Sequence, residues 1–332
     1  MLSRPLLFLC GALTVAVLAA LAPASAQIED EFVAKGRVFP EAGPGLRAVR
    51  RDASGNHYVL TTSVVTVYDA AGKLVRKVPD TSGGKGSAPA QPATITYGED
   101  MDVDGEGRIY VADRGANAIK IFFPDGAEKT IPANAPTSVA ALAAGEIAVA
   151  TLHSARLVTV FDLQGKVVRE FGDPTELADR KELNRFLNIG RLATDPDSHI
   201  YYAFSYLPEP TVRKYDRFGY AAFEINLTAL EFQPTAQAAR REIERQERGG
   251  TPVFKPVVTA CGVDPATQEI WIALHGFLLH FDREGNRRGT YRTYTPEGAR
   301  LEATTILVEP GRLLLGADPL GVYEFPRPDK KN

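Results

Sequence analysis

The stretch "GEGRIYVADRGANAIKIFFPDG", residues 105–126, decides the fold. It leaves a Gly-containing turn, runs through Ile109-Tyr110-Val111-Ala112 and breaks at Asp113-Arg114-Gly115. It then runs from Ala118 to Phe123 and closes on Pro124-Asp125-Gly126. Short runs of aromatic and β-branched residues between Asp/Gly turns are the pattern of strand, turn and strand. The same pattern recurs at residues 52–78, 142–171, 195–225, 264–294 and 309–325, which makes six copies. A repeat changes the meaning of every motif inside it, so it is read before any single residue.

Four copies share a second turn of the form aromatic-Asp-x-x-Gly: Tyr68-Asp69 to Gly72, Phe161-Asp162 to Gly165, Tyr215-Asp216 to Gly219, and Phe281-Asp282 to Gly285. A further short run precedes each copy, such as Met101-Asp102-Val103, and another follows it, such as Lys166 to Phe171. Four strands per copy and six copies predict an all-β, six-bladed β-propeller spanning residues 27–326, with a polar tail at 327–332. The last copy stops at Phe325-Pro326 with no fourth strand of its own, while Glu31 to Phe39 is a strand-like run without a copy around it. That run is expected to close the ring as the outer strand of the last blade, removing an open edge.

The run "IYVADRGANAIKIFFPDG" resembles an NHL-type repeat, and the chain as a whole is similar to the six-bladed propellers that include NHL-repeat proteins and gluconolactonase-like enzymes. The resemblance implies a blade and not a chemistry. The calcium-dependent lactonases of that group hold their ion with a Glu, Asn and Asp set, and an Asn-Gly pair opens one of their strands. No Asn-Gly follows residue 56 or any other Asn of the chain, with Asn117 followed by Ala118 and Asn188 by Ile189. Calcium-dependent lactone hydrolysis is therefore not what these residues point to.

Residues 1–26 read as a Sec-type signal peptide: Arg4, an apolar run to about Leu21, then Ala24-Ser25-Ala26 as a small-x-small cleavage site. The reading places the protein in the periplasm or outside the cell, and not in the membrane once the leader is cut. Downstream of the leader only Cys261 remains, so no intramolecular disulfide is available. Basic and acidic residues number 38 and 41 with no long run of one sign, which leaves no footprint for nucleic acid. Small molecules, peptides and proteins stay open as partners.

Three insertions separate the copies. Residues 79–97 are rich in Gly, Ser, Pro and Ala and read as a loop. Residues 173–187 begin Asp173-Pro174-x-Glu176, the signature of a capped helix start. Residues 234–250 form a charged helix whose only large apolar residue is Ile243, expected over one end of the propeller.

In a propeller, loops between second and third strands and the segments entering each first strand converge on one channel mouth. Equivalent positions there collect Glu99, Asp100, Asp113, Arg114, His153, Arg191, His275 and Asp318, with Arg47 beside them. At the position of Asp113 the other copies carry Thr61, Thr151, Phe204, Leu274 and Ala317, so that charge is particular to blade two. It serves either a ligand or a turn, which an Asp after a strand often caps. The expected role of the mouth is recognition, with Arg forks meeting a carboxylate. The alternative is a metal-assisted hydrolase or lyase with a divalent metal on His153 and His275 and Glu99 or Asp100 as base. Cys261, followed by Gly262 in a first strand, reads as a small buried residue.

Overall fold

A computed structural model describes residues 31–79 and 94–328. The leader expected at 1–26 and most of the 79–97 loop lie outside the described residues. Six sheets, each built on four antiparallel strands, follow the order of the six copies, beginning with first strands Leu46–Arg51, Gly98–Val103, Pro136–Ala141, Gly190–Thr194, Val258–Val263 and Thr305–Glu309. Each first strand contacts the next, and the sixth contacts the first, so the ring is closed around a channel.

Burial follows from position in the blade. The second strands His57–Thr61, Ile109–Asp113, Ile200–Phe204 and Ile270–Leu274 are buried at every residue, because a neighbouring blade covers each face. The outer strands Leu74–Val78 and Val167–Phe171 are mostly exposed. Burying Trp271, Tyr110, Tyr201 and Phe325 completely contributes roughly 2–3 kcal/mol apiece before entropy is counted.

Turn chemistry explains why the Asp residues recur. Asp69, Asp162, Asp216 and Asp282 each accept the N–H groups two and four residues on, and Gly72, Gly165, Gly219 and Gly285 supply the positive φ that such a turn needs. The turn after the first strand has its own version. Asp52, Asp104 and Asp195 cap that turn and also accept the hydroxyl of the tyrosine six residues later, Tyr58, Tyr110 and Tyr201, at 2.8–3.0 Å. These carboxylates are part of the blade.

The N-terminal run closes the ring and does more than a single outer strand would. Gly36–Val38 pairs antiparallel with Gly321–Pro326 as the fourth strand of the last blade. Glu31–Val33 turns to the neighbouring blade and pairs in parallel with Arg287–Tyr294 as a fifth strand. Phe32 lies between, with ring centroids 5.0 Å from Phe325 and 5.4 Å from Tyr291. Arg327, assigned to the tail by sequence, reaches back to Asp264 and to Glu269 at 2.6 Å, tying blade six to blade five.

The insertion at 173–187 is helical only at its end. Helix α1 spans Lys181–Leu187, and Asp173 does not cap it. The side chain of Asn188 accepts the Thr175 N–H and donates to the Thr175 carbonyl, both at 2.8 Å, while Asn184 accepts the N–H groups of Leu177 and Ala178. Those bonds hold 175–178 outside the helix, where a first helical turn was expected. Helix α2, Gln233–Gln246, ends before Gly249-Gly250 and buries Ile243 beside Leu183 and Leu187 of α1. Arg180 donates to the Gln246 carbonyl at 2.6 Å. Among the described residues no helix is long and apolar enough to cross a membrane.

Candidate ligand-binding mouth

Four of the six first strands carry a register shift near their start, between Leu46 and Ala48, Gly98 and Asp100, Pro136 and Ser138, and Val258 and Ala260. The residues left out of pairing are Arg47, Glu99, Thr137 and Thr259. A bulge re-aims the side chain of the residue it leaves out of pairing. Glu99, Thr137 and Thr259 line one cavity of about 80 Å³ together with Arg114, Arg191 and Tyr206.

Charge in this mouth is only partly cancelled. The Arg114 guanidinium donates to Glu99 at 2.9 Å. Arg191 spends one nitrogen on the backbone carbonyls of Glu99, at 2.7 Å, and Thr137, at 3.5 Å. Among the described residues Arg191 has no carboxylate partner. Arg47 donates to the Tyr97 hydroxyl at 2.5 Å and lies 4.9 Å from that ring's centroid. The helical insertions add an aromatic wall: Phe186 of α1 lies 4.9 Å from Tyr206 and 5.7 Å from Phe254, which follows α2. Burial holds the Tyr206 phenol above its ordinary range, with Arg191 and Arg114 pulling the other way. Its hydroxyl makes no hydrogen bond with the described residues.

Of the residues expected here, Glu99, Arg114 and Arg191 are brought together. Asp113 is completely buried and accepts the N–H groups of Thr96, Tyr97 and Ala116 at 2.9–3.1 Å, so it is a turn cap that folds residues 94–97 back onto blade two. Asp100 lies inside the wall, bonded to Arg50 at 3.1 Å and to the Ser138 hydroxyl. Asp318 is exposed and caps the Gly45 N–H at 2.7 Å. His153 is exposed on its loop, and His275 lines a separate groove with Phe277 and Arg300.

The structure does not bring His153 and His275 into a shared ligand set. Among the described residues, the one group of three acidic, His or Cys side chains close enough to share an ion is Asp195, Asp197 and His199, on the opposite end of blade four. Asp195 is the turn cap already described; it also accepts from the Tyr201 hydroxyl, lies 2.9 Å from His199 Nδ1 and is 3.8 Å from the Lys214 ammonium.

The other end of the channel is a cavity of about 330 Å³ lined by Arg50, Asp102, Thr194, Cys261 and Val308 among others. Arg50 reaches Asp100 at 3.1 Å and Asp102 at 3.4 Å, and donates to the Val49 carbonyl at 2.9 Å. Burial pushes the Asp102 carboxyl up to about 6 against the pull of Arg50 and of the Ala141 and Val103 N–H groups. Burial likewise pushes the Cys261 thiol up to about 12, the range of an inert thiol.

Tyr206 stands at a position that the comparison of copies reaches, but Phe186 and Phe254 come from insertions that have no counterpart in the repeat. The signal for the bulge residues is positional: each is the second residue of its first strand.

No protein-family model matches the chain, and no curated protein matches it by sequence. Solved structures match by shape. They include virginiamycin B lyase from Staphylococcus aureus, at 11% identity and TM-score 0.52 over 87% of this chain and 86% of that one. A catalytically inactive variant of that lyase with quinupristin matches at 12% identity and TM-score 0.53 over 90% of each chain. Hydrazine synthase from Kuenenia stuttgartiensis matches at 9% identity and TM-score 0.52, over 92% of this chain and 99% of that one. At such identities the likeness defines the class of fold, a six-bladed β-propeller, and carries no activity across.

Proposed function

We propose that this protein is an exported recognition scaffold that binds its ligand at the mouth formed by Glu99, Arg114, Arg191 and Tyr206. The observation that carries the reading is that, among the described residues, the Arg191 guanidinium has no carboxylate partner and the Tyr206 hydroxyl no hydrogen bond, and both line one cavity. Polar groups that already satisfy one another make a wall; groups left unsatisfied in a concavity make a binding site. The hydrolase or lyase alternative finds no histidine ligand set here, and Glu99 is held by Arg114 where a general base would have to be free to take a proton. Export rests on the leader pattern of residues 1–26, and a secreted chain beginning at Gln27, read by intact mass, is the expected product.

The test is native mass spectrometry of the full-length gene's product after exposure to a small-molecule extract, compared with Ile189→Trp, which fills the cavity that Ile189 lines. Phe186→Ala serves as the second variant, and melting temperatures check that both fold. Bound small molecules lost in the variants support the reading. Retention in both folded variants, or release of chemically altered molecules, overturns it.

A further inference from the structure

The mouth also specifies a ligand chemistry. Its cavity is lined by two guanidiniums, Arg114 and Arg191, against one carboxylate, Glu99, which leaves one net positive charge. Glu99 is occupied by Arg114 at 2.9 Å, so the charge left to satisfy is that of Arg191. Both of its carbonyl contacts use Nη1, and Nε and Nη2 make no hydrogen bond among the described residues. A planar fork of N–H donors fits a carboxylate better than any other small acceptor, and the Tyr206 hydroxyl beside it is a further free donor.

Size and surroundings narrow the choice further. The cavity, about 80 Å³, is smaller than the one at the channel's other end and receives a head group. The rest of a ligand must lie on what borders it, and that border is the half-buried aromatic wall of Phe186, Tyr206 and Phe254. Such a wall also suits a quaternary ammonium, which aromatic faces attract. The net positive charge and the engagement of Glu99 oppose a cation at this place.

We infer that the mouth takes a terminal carboxylate carried on an apolar or aromatic body, the carboxylate on Arg191 and Tyr206 and the body on Phe186 and Phe254. This rests on the recognition reading above. A free organic acid and the C-terminus of a peptide share that chemistry.

The experiment titrates the full-length gene's product with 3-phenylpropionate, its neutral amide, acetate, benzyltrimethylammonium, and a tetrapeptide ending in Phe as free acid and as amide. Saturation-transfer NMR and calorimetry give the readout. The expected result is binding of 3-phenylpropionate or the free-acid peptide, weakened at least tenfold in the matching amide and in acetate. Whichever of the two acids binds more tightly identifies the source. Binding should be lost in Arg191→Gln and weakened about tenfold in Phe186→Ala and three- to tenfold in Tyr206→Phe. Because Arg191 bridges two blades through backbone carbonyls, Arg191→Gln counts only with an unchanged melt; Tyr206→Phe removes no intramolecular bond and keeps the test independent of folding. Equal binding of acid and amide, tighter binding of benzyltrimethylammonium, or no binding of either acid overturns the inference. If that happens while Ile189→Trp still strips bound molecules, recognition at the mouth stands and only the carboxylate falls. If Ile189→Trp changes nothing, both fall.

Discussion

The two ends of the channel are made by the same first strands and furnished with the same residue types, yet they come to opposite states. At the end where the strands leave, Arg50 is bracketed by Asp100 and Asp102, and Asp100 passes the contact on through Ser138, whose hydroxyl accepts the Leu192 N–H at 2.9 Å. One continuous belt therefore links blades one to four, and its polar atoms face one another. At the end where the strands enter, the bulge residues Glu99 and Thr137 line the opening, and Arg191 and Tyr206 keep donors that nothing among the described residues answers. The difference lies in which cations are answered: at the belt Arg50 meets two carboxylates, while at the mouth Arg114 meets Glu99 and Arg191 meets no carboxylate among the described residues. The larger of the two cavities is the one whose charged wall residues already pair with one another.

Both ends depend on ring closure, so the largest effect comes from removing it. Deleting residues 31–39 takes away the fourth strand of blade six and the fifth of blade five, with the Lys35 N–H bond to the Glu324 carbonyl at 2.7 Å. An open edge of this kind costs the whole fold and invites association. Circular dichroism melts should show loss of the cooperative transition; a truncated chain that still melts in one step would show that the blades hold without closure.

A direct contrast between the ends comes from two alanine substitutions. Asp100 has a side chain 4% exposed, and removing it leaves Arg50 and Ser138 short of a partner, which costs about 4 kcal/mol. Glu99, whose partner Arg114 is 39% exposed, should cost less than about 1 kcal/mol on the same change. Urea unfolding of Asp100→Ala and Glu99→Ala measures both. Equal losses would mean that the mouth is held as tightly as the belt.

The belt also has a pH signature. The Asp102 carboxyl is raised from 3.8 to about 6 by burial, with Asp100 adding repulsion and Arg50 and the Ala141 and Val103 N–H groups opposing. An acid raised on folding holds more protons native than unfolded between those two values, so its contribution to stability grows as pH falls through that window. It is fully present below about 3.8 and gone above about 6, with a size of up to about 3 kcal/mol. The stability difference between the wild type and Asp102→Asn, followed in urea from pH 4 to pH 7, should move in the wild type's favour as the pH falls. A difference that stays flat across the window would mean the carboxyl is not desolvated.

The blades were legible in the sequence because each turn is local: an Asp that caps N–H groups two and four residues away writes its requirement within five residues. Ring closure was legible because the last copy lacked a strand and the first residues supplied one. Of the mouth, Glu99, Arg114 and Arg191 could be collected by equivalent position. Asp113 could be collected with a turn cap as one of its two readings, but two of its donors, Thr96 and Tyr97, come from the end of the 79–97 insertion, 17 and 16 residues away, and could not be named from the repeat. His153 and His275 fell in the same break of the repeat, one residue apart in register, without sharing a place, because loop tips of different blades diverge once they leave the sheet. Phe186 and Phe254 stood outside any repeat register, and α1 and α2 had to pack through Leu183, Leu187 and Ile243 before those rings could meet.

The smallest expected effect separates the two ends most cleanly. At the belt every polar atom removed leaves a partner unsatisfied, so stability and geometry fail together. The Tyr206 hydroxyl has no partner among the described residues, and Tyr206→Phe keeps the ring that packs against Phe186 and Phe254. The change should leave unfolding free energy within about 0.5 kcal/mol of the wild type, the range of substitutions that touch no bonded feature. A loss beyond about 1 kcal/mol in urea would show that the hydroxyl is bonded within the fold, and the entry mouth would then be a second belt.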